Sequence, residues 1–306
     1  MVYGEPAVAL PLSALRLSVV LSSTDPEWVG ADGRPVEPAA DLGARTLERH
    51  DPRPLRVDLA EDAPEGARDD VARALGAAAH MLGLSVPLPL RLAVRTGGLR
   101  SGMGTSAALG TALARALLLW HGLEPDPVRV LAAAGEVERV FHGNPSGVDH
   151  TVSALETPVW FEKGSAPEPL TGMPPLRLIL LPRSSPHSTR TLVDGVRDRI
   201  VDDPALVRVV AELGRWSREG REGWAAGRVS VVAAAMEAQQ AGLDRLGVVE
   251  PSDREQIAVA MNAGAAAAKI TGAGGGGTLL ALVDEESAPV VRAAWGSDAL
   301  EFVTGR

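Results

Sequence analysis

The chain contains no cysteine, so it can form neither a disulfide framework nor a thiolate metal site. Aromatic residues make up only 3% of its 306 residues and hydrophobic residues 45%, which predicts an aliphatic core of Ala, Leu and Val. No apolar run approaches the roughly 20 residues that a membrane span needs, and the N-terminus shows no basic-then-apolar signal pattern. These absences favour a soluble cytoplasmic protein.

Lysine is nearly absent as well. Only Lys163 and Lys269 occur, and every other basic residue apart from histidine is arginine. The formal net charge is -9, which argues against a surface that binds nucleic acid. The length suffices for one large or two medium domains. We therefore expect an enzyme for a small molecule, as a monomer or homodimer, with few lysines available for catalysis.

The order of the predicted elements indicates an α+β fold. Strands are expected at residues 7–21, 55–59, 88–94, 159–162, 176–181 and 278–283, and helices at 63–82, 105–120, 127–140, 188–200, 204–225, 230–246 and 253–263. Because helices and strands do not alternate strictly, a doubly wound sheet is less favoured. A cluster of prolines between residues 167 and 175 predicts a boundary, with domains at 1–172 and 173–306.

The most informative segment is Ser101–Ala108, SGMGTSAA, a glycine-bearing loop that opens an apolar helix. Glycines let backbone N–H groups approach an anion closely, and the start of a helix adds unpaired amides and a positive dipole end. Thr105 and Ser106 add hydroxyls at the same place. The segment predicts a phosphate-binding loop without a Walker lysine, while a dinucleotide fingerprint and a plain tight turn stay as alternatives.

Two further segments carry candidate functional residues. The four glycines from Gly274 to Gly277 lie between apolar segments, which favours close backbone approach to a ligand over a flexible linker. Glu138 and Asp149 flank a turn and could serve phosphoryl transfer as magnesium ligand and base, or act only as helix caps. His142 on its own is more typical of a structural residue.

Four segments, in order along the chain, resemble motifs of the GHMP kinase superfamily and, within it, of the mevalonate kinase family. GMGTSAA at 102–108 is similar to the phosphate loop G-L-G-S-S-A-A, and KITGAGGGG at 269–277 is similar to the C-terminal glycine motif. ERVFHGNPSGVD at 138–149 is similar to E-x-x-x-H-G-x-P-S-G-x-D, which is specific to mevalonate kinases. STRTLV at 188–193 more weakly resembles the S-T-K-x-L-V stretch near the mevalonate site.

The resemblance implies a two-domain GHMP kinase fold, with an N-terminal domain like ribosomal S5 domain 2 and a ferredoxin-like C-terminal domain. It implies transfer of phosphate from ATP to the 5-hydroxyl of mevalonate, a step of isoprenoid precursor synthesis, with Mg²⁺ held by Ser106 and Glu138. By the same resemblance, Asp149 would take the proton from the 5-hydroxyl or orient this hydroxyl, and the loop at 272–277 would close the site. The implied nucleotide-binding residues are Gly102, Met103, Gly104, Thr105, Ser106, Ala107, Gly274 and Gly275. The implied substrate-binding residues are His142, Ser146, Thr189 and Gly272.

One family motif does not occur, the N-terminal G-E-H-A-V turn with its preceding catalytic lysine. The chain begins MVYGEPAV, which resembles the later V-Y-G-x-P-A-V element. Either Met1 is a wrongly assigned start, or the chain is a short paralogue with weak or no kinase activity. An uncovered sheet edge then predicts lower stability. The alternatives to a mevalonate kinase activity are a GHMP kinase for another small alcohol and a nucleotide-binding pseudokinase.

Overall fold

The computed structural model describes residues 5–12, 15–22, 28–29, 35–36, 55–60, 63–86, 90–96, 103–143, 145–183 and 189–305. The strands of these ranges are β1 (Ala7–Ala9), β2 (Ser18–Ser22), β3 (Trp28–Val29), β4 (Pro35–Val36), β5 (Leu55–Asp58), β6 (Leu90–Arg95), β7 (Val159–Phe161), β8 (Glu168–Pro169), β9 (Arg177–Leu181), β10 (Ala267–Ile270), β11 (Leu279–Val283) and β12 (Leu300–Val303). The helices are α1 (Ala67–Leu82), α2 (Thr105–Trp120), α3 (Pro127–His142), α4 (Val148–Leu155), α5 (Thr189–Asp202), α6 (Leu206–Ala225), α7 (Val229–Arg245), α8 (Pro251–Asn262) and α9 (Ser287–Trp295). The expected α+β class is confirmed.

The chain forms two compact units. Unit 1 comprises Met1–Ala14, Arg100–Met103 and Glu156–Arg306, and unit 2 comprises Leu15–Leu99 and Gly104–Leu155. The chain thus passes from one unit to the other more than once. The division into domains 1–172 and 173–306 stays a prediction, since the compact units are not continuous segments.

Unit 2 packs the four helices α1 to α4 with a small mixed sheet in its described residues. Within the described residues its strand order is β2-β6-β5, with β2 antiparallel and β5 parallel to β6. Helix α2 is apolar on most faces and occupies the core, as its sequence predicts. Its buried side chains pack with those of α1, α3 and β6, including Leu75, Leu92, Leu113, Leu117 and Val137.

Helices α2 and α3 approach to backbone contact at Gly110. A Cβ atom at Gly110 would lie 3.0 Å from the Cα atom of Ala134 and 3.0 Å from the Cβ atom of Val137. Only glycine fits here without displacing a helix. Because residues four apart lie on one face of a helix, this contact places Ser106, one turn before Gly110, beside Glu138, one turn after Ala134.

Unit 1 is built on an antiparallel sheet with the order β10-β11-β9-β12 in the described residues. Both faces are covered, because alternate residues of β9 enter different cores: Ile179 packs with α8 and α9, and Leu178 packs with Trp224 and Met236. Among the described residues a second sheet has the order β1-β7-β8. Trp224 donates its indole N–H to the Pro174 carbonyl oxygen at 2.6 Å.

Capping explains why α3 begins where the sequence places it. The Asp126 carboxylate accepts the backbone N–H groups of Val128 and Arg129 at 3.0 and 3.2 Å, and Pro127 occupies the first helical position. Strand β10 was not predicted, because its alanines favour helix and only pairing with β11 makes the segment extended. In the part of the chain that is described, no helix combines the length and the apolarity needed to cross a membrane.

Candidate active site

The phosphate loop ends where helix α2 begins, and no side chain caps this helix start. Gly104 adopts a φ of 72°, in the left-handed region that favours glycine, and α2 begins at the next residue, Thr105. Gly104 has no side chain with which to cap the first amides, so these N–H groups and the helix dipole are suited to an anion. Met103 precedes this turn, Ala107 is buried within the first turn of α2, and Gly102 lies outside the described residues.

Ser106, His142 and Glu138 come together on α2 and α3. The Ser106 Oγ atom lies 3.0 Å from His142 Nε2, and the same nitrogen lies 3.9 Å from Glu138 Oε1. A Ser-His-acid relay requires the serine and the carboxylate to bond different ring nitrogens. Both contacts here use Nε2, so the arrangement does not activate Ser106 as a nucleophile. The exposed imidazole instead covers a serine and a carboxylate.

Glu138 is a buried carboxylate that lacks enough partners. Its side chain is 4% exposed, and Oε1 finds no hydrogen-bond partner among the described residues. Burial raises the pKa of Glu138 above its usual range, a hydrogen bond from Ser106 and the charge of His142 oppose this rise, and the charge of Asp149 adds to it. A desolvated carboxylate beside a hydroxyl is a fitting place for a hard cation.

The donor set agrees with magnesium in particular. Mg²⁺ prefers oxygen ligands and usually takes only one or two from the protein, completing its shell with water and substrate phosphates. Ser106 and Glu138 offer two such oxygens next to the helix start where phosphates would lie. Within the described ranges, no cluster of three or more His, Asp or Glu side chains could hold a metal by itself.

Asp149 lies at the start of α4, close to the phosphate loop. A Cβ atom at Gly104 would lie 3.9 Å from the Asp149 Cβ atom. The Asp149 side chain is open to solvent, yet the protein around it desolvates the carboxylate and raises its pKa, an effect that the charge of His142 partly opposes. An exposed carboxylate beside the phosphate loop is available to a substrate. Unit 2 therefore brings Gly104, Ser106, Glu138, His142 and Asp149 together, as expected.

Sequence analysis missed His150, which anchors α4 on α3. Its Nε2 atom would lie 3.2 Å from a Cβ atom at Gly135, so the imidazole fills a notch that only glycine leaves open. Burial and the charge of Arg139 lower the pKa of His150, and Nδ1 has no hydrogen-bond partner among the described residues. The signal was Gly135, which lies on α3 one turn before Glu138. The half-buried His150 thus packs the helix that carries Asp149 against α3.

The glycine loop of unit 1, Gly272–Gly277, has an open end and a buried end. Gly272 is exposed with a φ of 71°, and a Cβ atom there would meet nothing within 4 Å. Gly274 and Gly275 are buried, and the Gly275 N–H already donates to the Val248 carbonyl oxygen at 2.8 Å. A Cβ atom at Gly274 would lie 2.4 Å from that oxygen. Nucleotide binding by Gly274 and Gly275 and substrate binding by Gly272 stay predictions.

Three other residues that the sequence singled out lie just before α4, at the start of α5 and in β10. Ser146 is exposed in unit 2, and its Oγ atom lies 3.5 Å from the Val148 nitrogen at the start of α4. Thr189 is the first residue of α5 in unit 1, and its side chain lies outside what the structure describes. Burial lowers the pKa of Lys269 to about 8, and its Nζ atom donates to the Ile270 carbonyl oxygen at 2.7 Å.

Two family models match the chain: "GHMP kinases N terminal domain" at residues 69–157 and "GHMP kinases C terminal" at residues 222–301. The chain belongs to the GHMP kinase family. The first model covers the phosphate loop and the segment from Glu138 to Asp149, and the second covers the glycine loop. The expected family and its two-domain fold are confirmed.

The similar proteins include mevalonate kinases. That of Thermococcus sibiricus is 32% identical over 211 residues, which cover 67% of this chain and 62% of that protein. The structure of the L. major mevalonate kinase in complex with R-mevalonate has a TM-score of 0.79 at 19% identity and covers 99% of this chain and 90% of that one. Lactococcus lactis galactokinase complexed with galactose reaches 0.68 at 12% identity, covering 99% and 88%. The fold alone therefore does not fix the acceptor.

Proposed function

We propose that this protein transfers the γ-phosphoryl group of ATP to the 5-hydroxyl of mevalonate. Relatives at about this level of identity are mevalonate kinases, and the chain spans 62% of the length of the Thermococcus sibiricus enzyme. The observation that carries the proposal is the cluster of Ser106, Glu138 and Asp149 at the start of α2. A sibling kinase for another alcohol and a pseudokinase are less favoured, because the Thermococcus sibiricus relative, at 32% identity, is a mevalonate kinase, whereas the galactokinase shares only 12% identity.

The N-terminus of α2 supplies the phosphate site. The helix start, which no side chain caps, and the helix dipole would bind the anionic triphosphate, and Ser106 and Glu138 would hold the Mg²⁺ that accompanies it. A magnesium ion held there would neutralise charge on the phosphates. Glu138 would at the same time gain a cationic partner for its buried oxygen.

Asp149 would receive the proton of the acceptor. As the 5-hydroxyl oxygen bonds to the γ-phosphorus, the bond to the β-phosphate oxygen breaks, ADP leaves, and the hydroxyl proton passes to the carboxylate. A raised pKa makes Asp149 a better proton acceptor than an ordinary aspartate, provided that it is ionised at the working pH. His150, held in the Gly135 notch, keeps α4 in place during this step.

The test is a coupled assay of ADP release from purified protein and MgATP. We expect release that depends on mevalonate and is absent with galactose. Release only with another alcohol would identify a sibling kinase, and ATP binding without any acceptor-dependent release would identify a pseudokinase. A cytoplasmic location, a role in isoprenoid synthesis and a monomeric or homodimeric state stay predictions.

A further inference from the structure

The glycine loop of unit 1 rests on a buried ion pair that the proposed reaction does not use. Asp253, in the first turn of α8, is fully buried. Its Oδ1 atom accepts a hydrogen bond from Arg183 Nη1 at 2.6 Å, and its Oδ2 atom accepts the Gly276 N–H at 3.2 Å. A buried carboxylate is tolerated only when it is paired and hydrogen-bonded. Loss of either contact would therefore leave Asp253 without a partner that it needs.

Helix capping explains only part of this arrangement. Asp253 Oδ2 also accepts the Glu250 N–H at 3.0 Å, the usual task of an acidic residue at the third position of a helix. Capping requires neither Arg183, which follows β9, nor Gly276, which precedes β11. Arg183 is in addition bonded through Nη2 to Ser252 Oγ at 2.8 Å, so it is held by two neighbouring residues of α8.

The loop is also held from a second side. The Gly275 N–H donates to the Val248 carbonyl oxygen at 2.8 Å, and Gly274 packs so closely on that oxygen that no side chain fits. Gly274, Gly275 and Gly276 have φ values of 84°, 68° and 84°, so their backbone follows a path that other residues rarely adopt. Val248 thus contacts Gly274 and Gly275, and Asp253 binds Gly276, whereas Gly272 is exposed.

We propose that Asp253 and Arg183 are positioning residues that hold the glycine loop in the conformation that binds MgATP. The loop itself is too rich in glycine to keep one conformation without such support. Arg183 donates to one oxygen of the Asp253 carboxylate, and the other oxygen accepts the Gly276 amide. The inference rests on the proposed function only in naming MgATP as the ligand.

Asp253→Asn tests the pair. The new amide oxygen can still accept the Glu250 and Gly276 N–H groups, but its NH₂ group then faces Arg183, donor against donor. We expect the KM and the Kd for MgATP to rise about tenfold, the effect of losing one charge-assisted hydrogen bond. We expect kcat to stay within about twofold, because no reacting atom is touched.

A second substitution should restore binding. In the double variant Asp253→Asn with Arg183→Gln, the new glutamine oxygen can accept from the new asparagine NH₂ group, so the pair becomes neutral but bonded. Binding that recovers in the double variant, while Arg183→Gln alone weakens it, supports a positioning pair. A purely structural role predicts additive losses instead.

Arg177→Gln is the matched control. Arg177 begins β9, whereas Arg183 follows its end, and Arg177 pairs with Glu301 and Glu285 away from the loop. This variant should lower the Tm and leave the affinity for MgATP unchanged. The Kd is measured calorimetrically, so it remains informative even if the wild-type protein shows no turnover. Folded Asp253→Asn protein that binds MgATP as tightly as the wild type would overturn the inference.

Discussion

The glycines of unit 2 allow helices and side chains to approach closely, whereas those of unit 1 allow an unusual backbone conformation. In unit 2, Gly110 and Gly135 let side chains and helices approach, and the result is a buried Glu138 whose Oε1 lacks a partner among the described residues. In unit 1, the glycine loop takes unusual φ values, and its buried amides at Gly275 and Gly276 are bonded within the protein. One region holds uncompensated charge for a ligand, and the other is internally satisfied. In unit 2 a charge is therefore left for a ligand, whereas in unit 1 the bonded amides fix the conformation of the loop before a ligand binds.

The largest expected effect comes from removing the proton acceptor of unit 2. Asp149→Asn keeps the size of the side chain and loses the base, so we expect kcat to fall about 100-fold or more with a much smaller change in KM. The measurement is steady-state ADP release with mevalonate. Asp126→Asn is the control, because asparagine also caps a helix well and Asp126 serves only α3. An Asp149→Asn enzyme with wild-type kcat would remove Asp149 from the reaction.

The wild-type pH profile should report the same carboxylate. Because burial raises the pKa of Asp149, the acid limb of the kcat/KM profile is expected above the ordinary value of 3.8. A limb at or below that value would show that Asp149 is not the group that must be ionised.

The second expected effect separates ligand binding from stability. Glu138→Gln removes a carboxylate proposed to hold Mg²⁺, so the Mg²⁺ concentration for half-maximal activity should rise at least about tenfold. The same change should stabilise the ligand-free protein at pH 7 by about 1 kcal/mol, because a desolvated charge is lost. A higher Mg²⁺ requirement together with a more stable protein would mark Glu138 as a functional group. A higher Mg²⁺ requirement together with a less stable protein would indicate a structural carboxylate.

The pH dependence of stability should show whether desolvation of Glu138 is the reason for this stabilisation. The pKa of Glu138 is higher in the folded than in the unfolded protein, so the folded state binds more protons and stability falls as the pH rises past about 4.5. The melting temperature of the ligand-free protein should therefore decline as the pH is raised from about 4.5, and it should decline less in Glu138→Gln. An unchanged decline in the variant would show that Glu138 is not desolvated.

A third, smaller effect concerns the approach of α2 and α3. Gly110→Ala forces a methyl group against Ala134 and Val137, and we expect a loss of about 1–3 kcal/mol together with a higher Mg²⁺ requirement. Gly76→Ala on α1 is the control, since a Cβ atom there meets nothing within 4 Å. That change should stabilise the protein by about 0.5–1 kcal/mol through helix propensity. Equal effects at both positions would mean that the helices are not in contact.

The smallest expected effect concerns Lys269, a desolvated charge in unit 1, whose buried glycine-loop amides are otherwise bonded within the protein. The folded pKa of Lys269, about 8, lies below its usual 10.5, so the unfolded protein binds more protons between these values and stability rises with pH there. Lys269→Met should lack this rise and be more stable at pH 7 by about 1 kcal/mol, measured by denaturant unfolding. Lys163→Met, at an exposed position, should leave stability unchanged.

The sequence predicts what local rules decide. The bounds of α2 and the start of α3 follow from apolar periodicity and from the Asp126 cap, and the resemblance placed Ser106, Glu138, His142 and Asp149 in one site. Contacts between distant segments could not be predicted, because a hydrogen bond such as that from Gly275 to Val248 depends on the tertiary fold. Burial explains the rest: nothing local indicates that Asp253 is fully enclosed or that His150 fills a notch.

The contact of α2 and α3 at Gly110 has a consequence for the choice of metal ion. Helices that already touch through their backbones cannot move closer, but larger side chains at positions 110 or 134 can move them apart. The distance between the Ser106 hydroxyl and the Glu138 carboxylate therefore has a lower limit and no comparable upper limit. If Mg²⁺ binds as proposed, substitutions at this contact should change the ion preference in one direction only, away from Mg²⁺ with its bonds of about 2.1 Å and toward larger ions such as Ca²⁺.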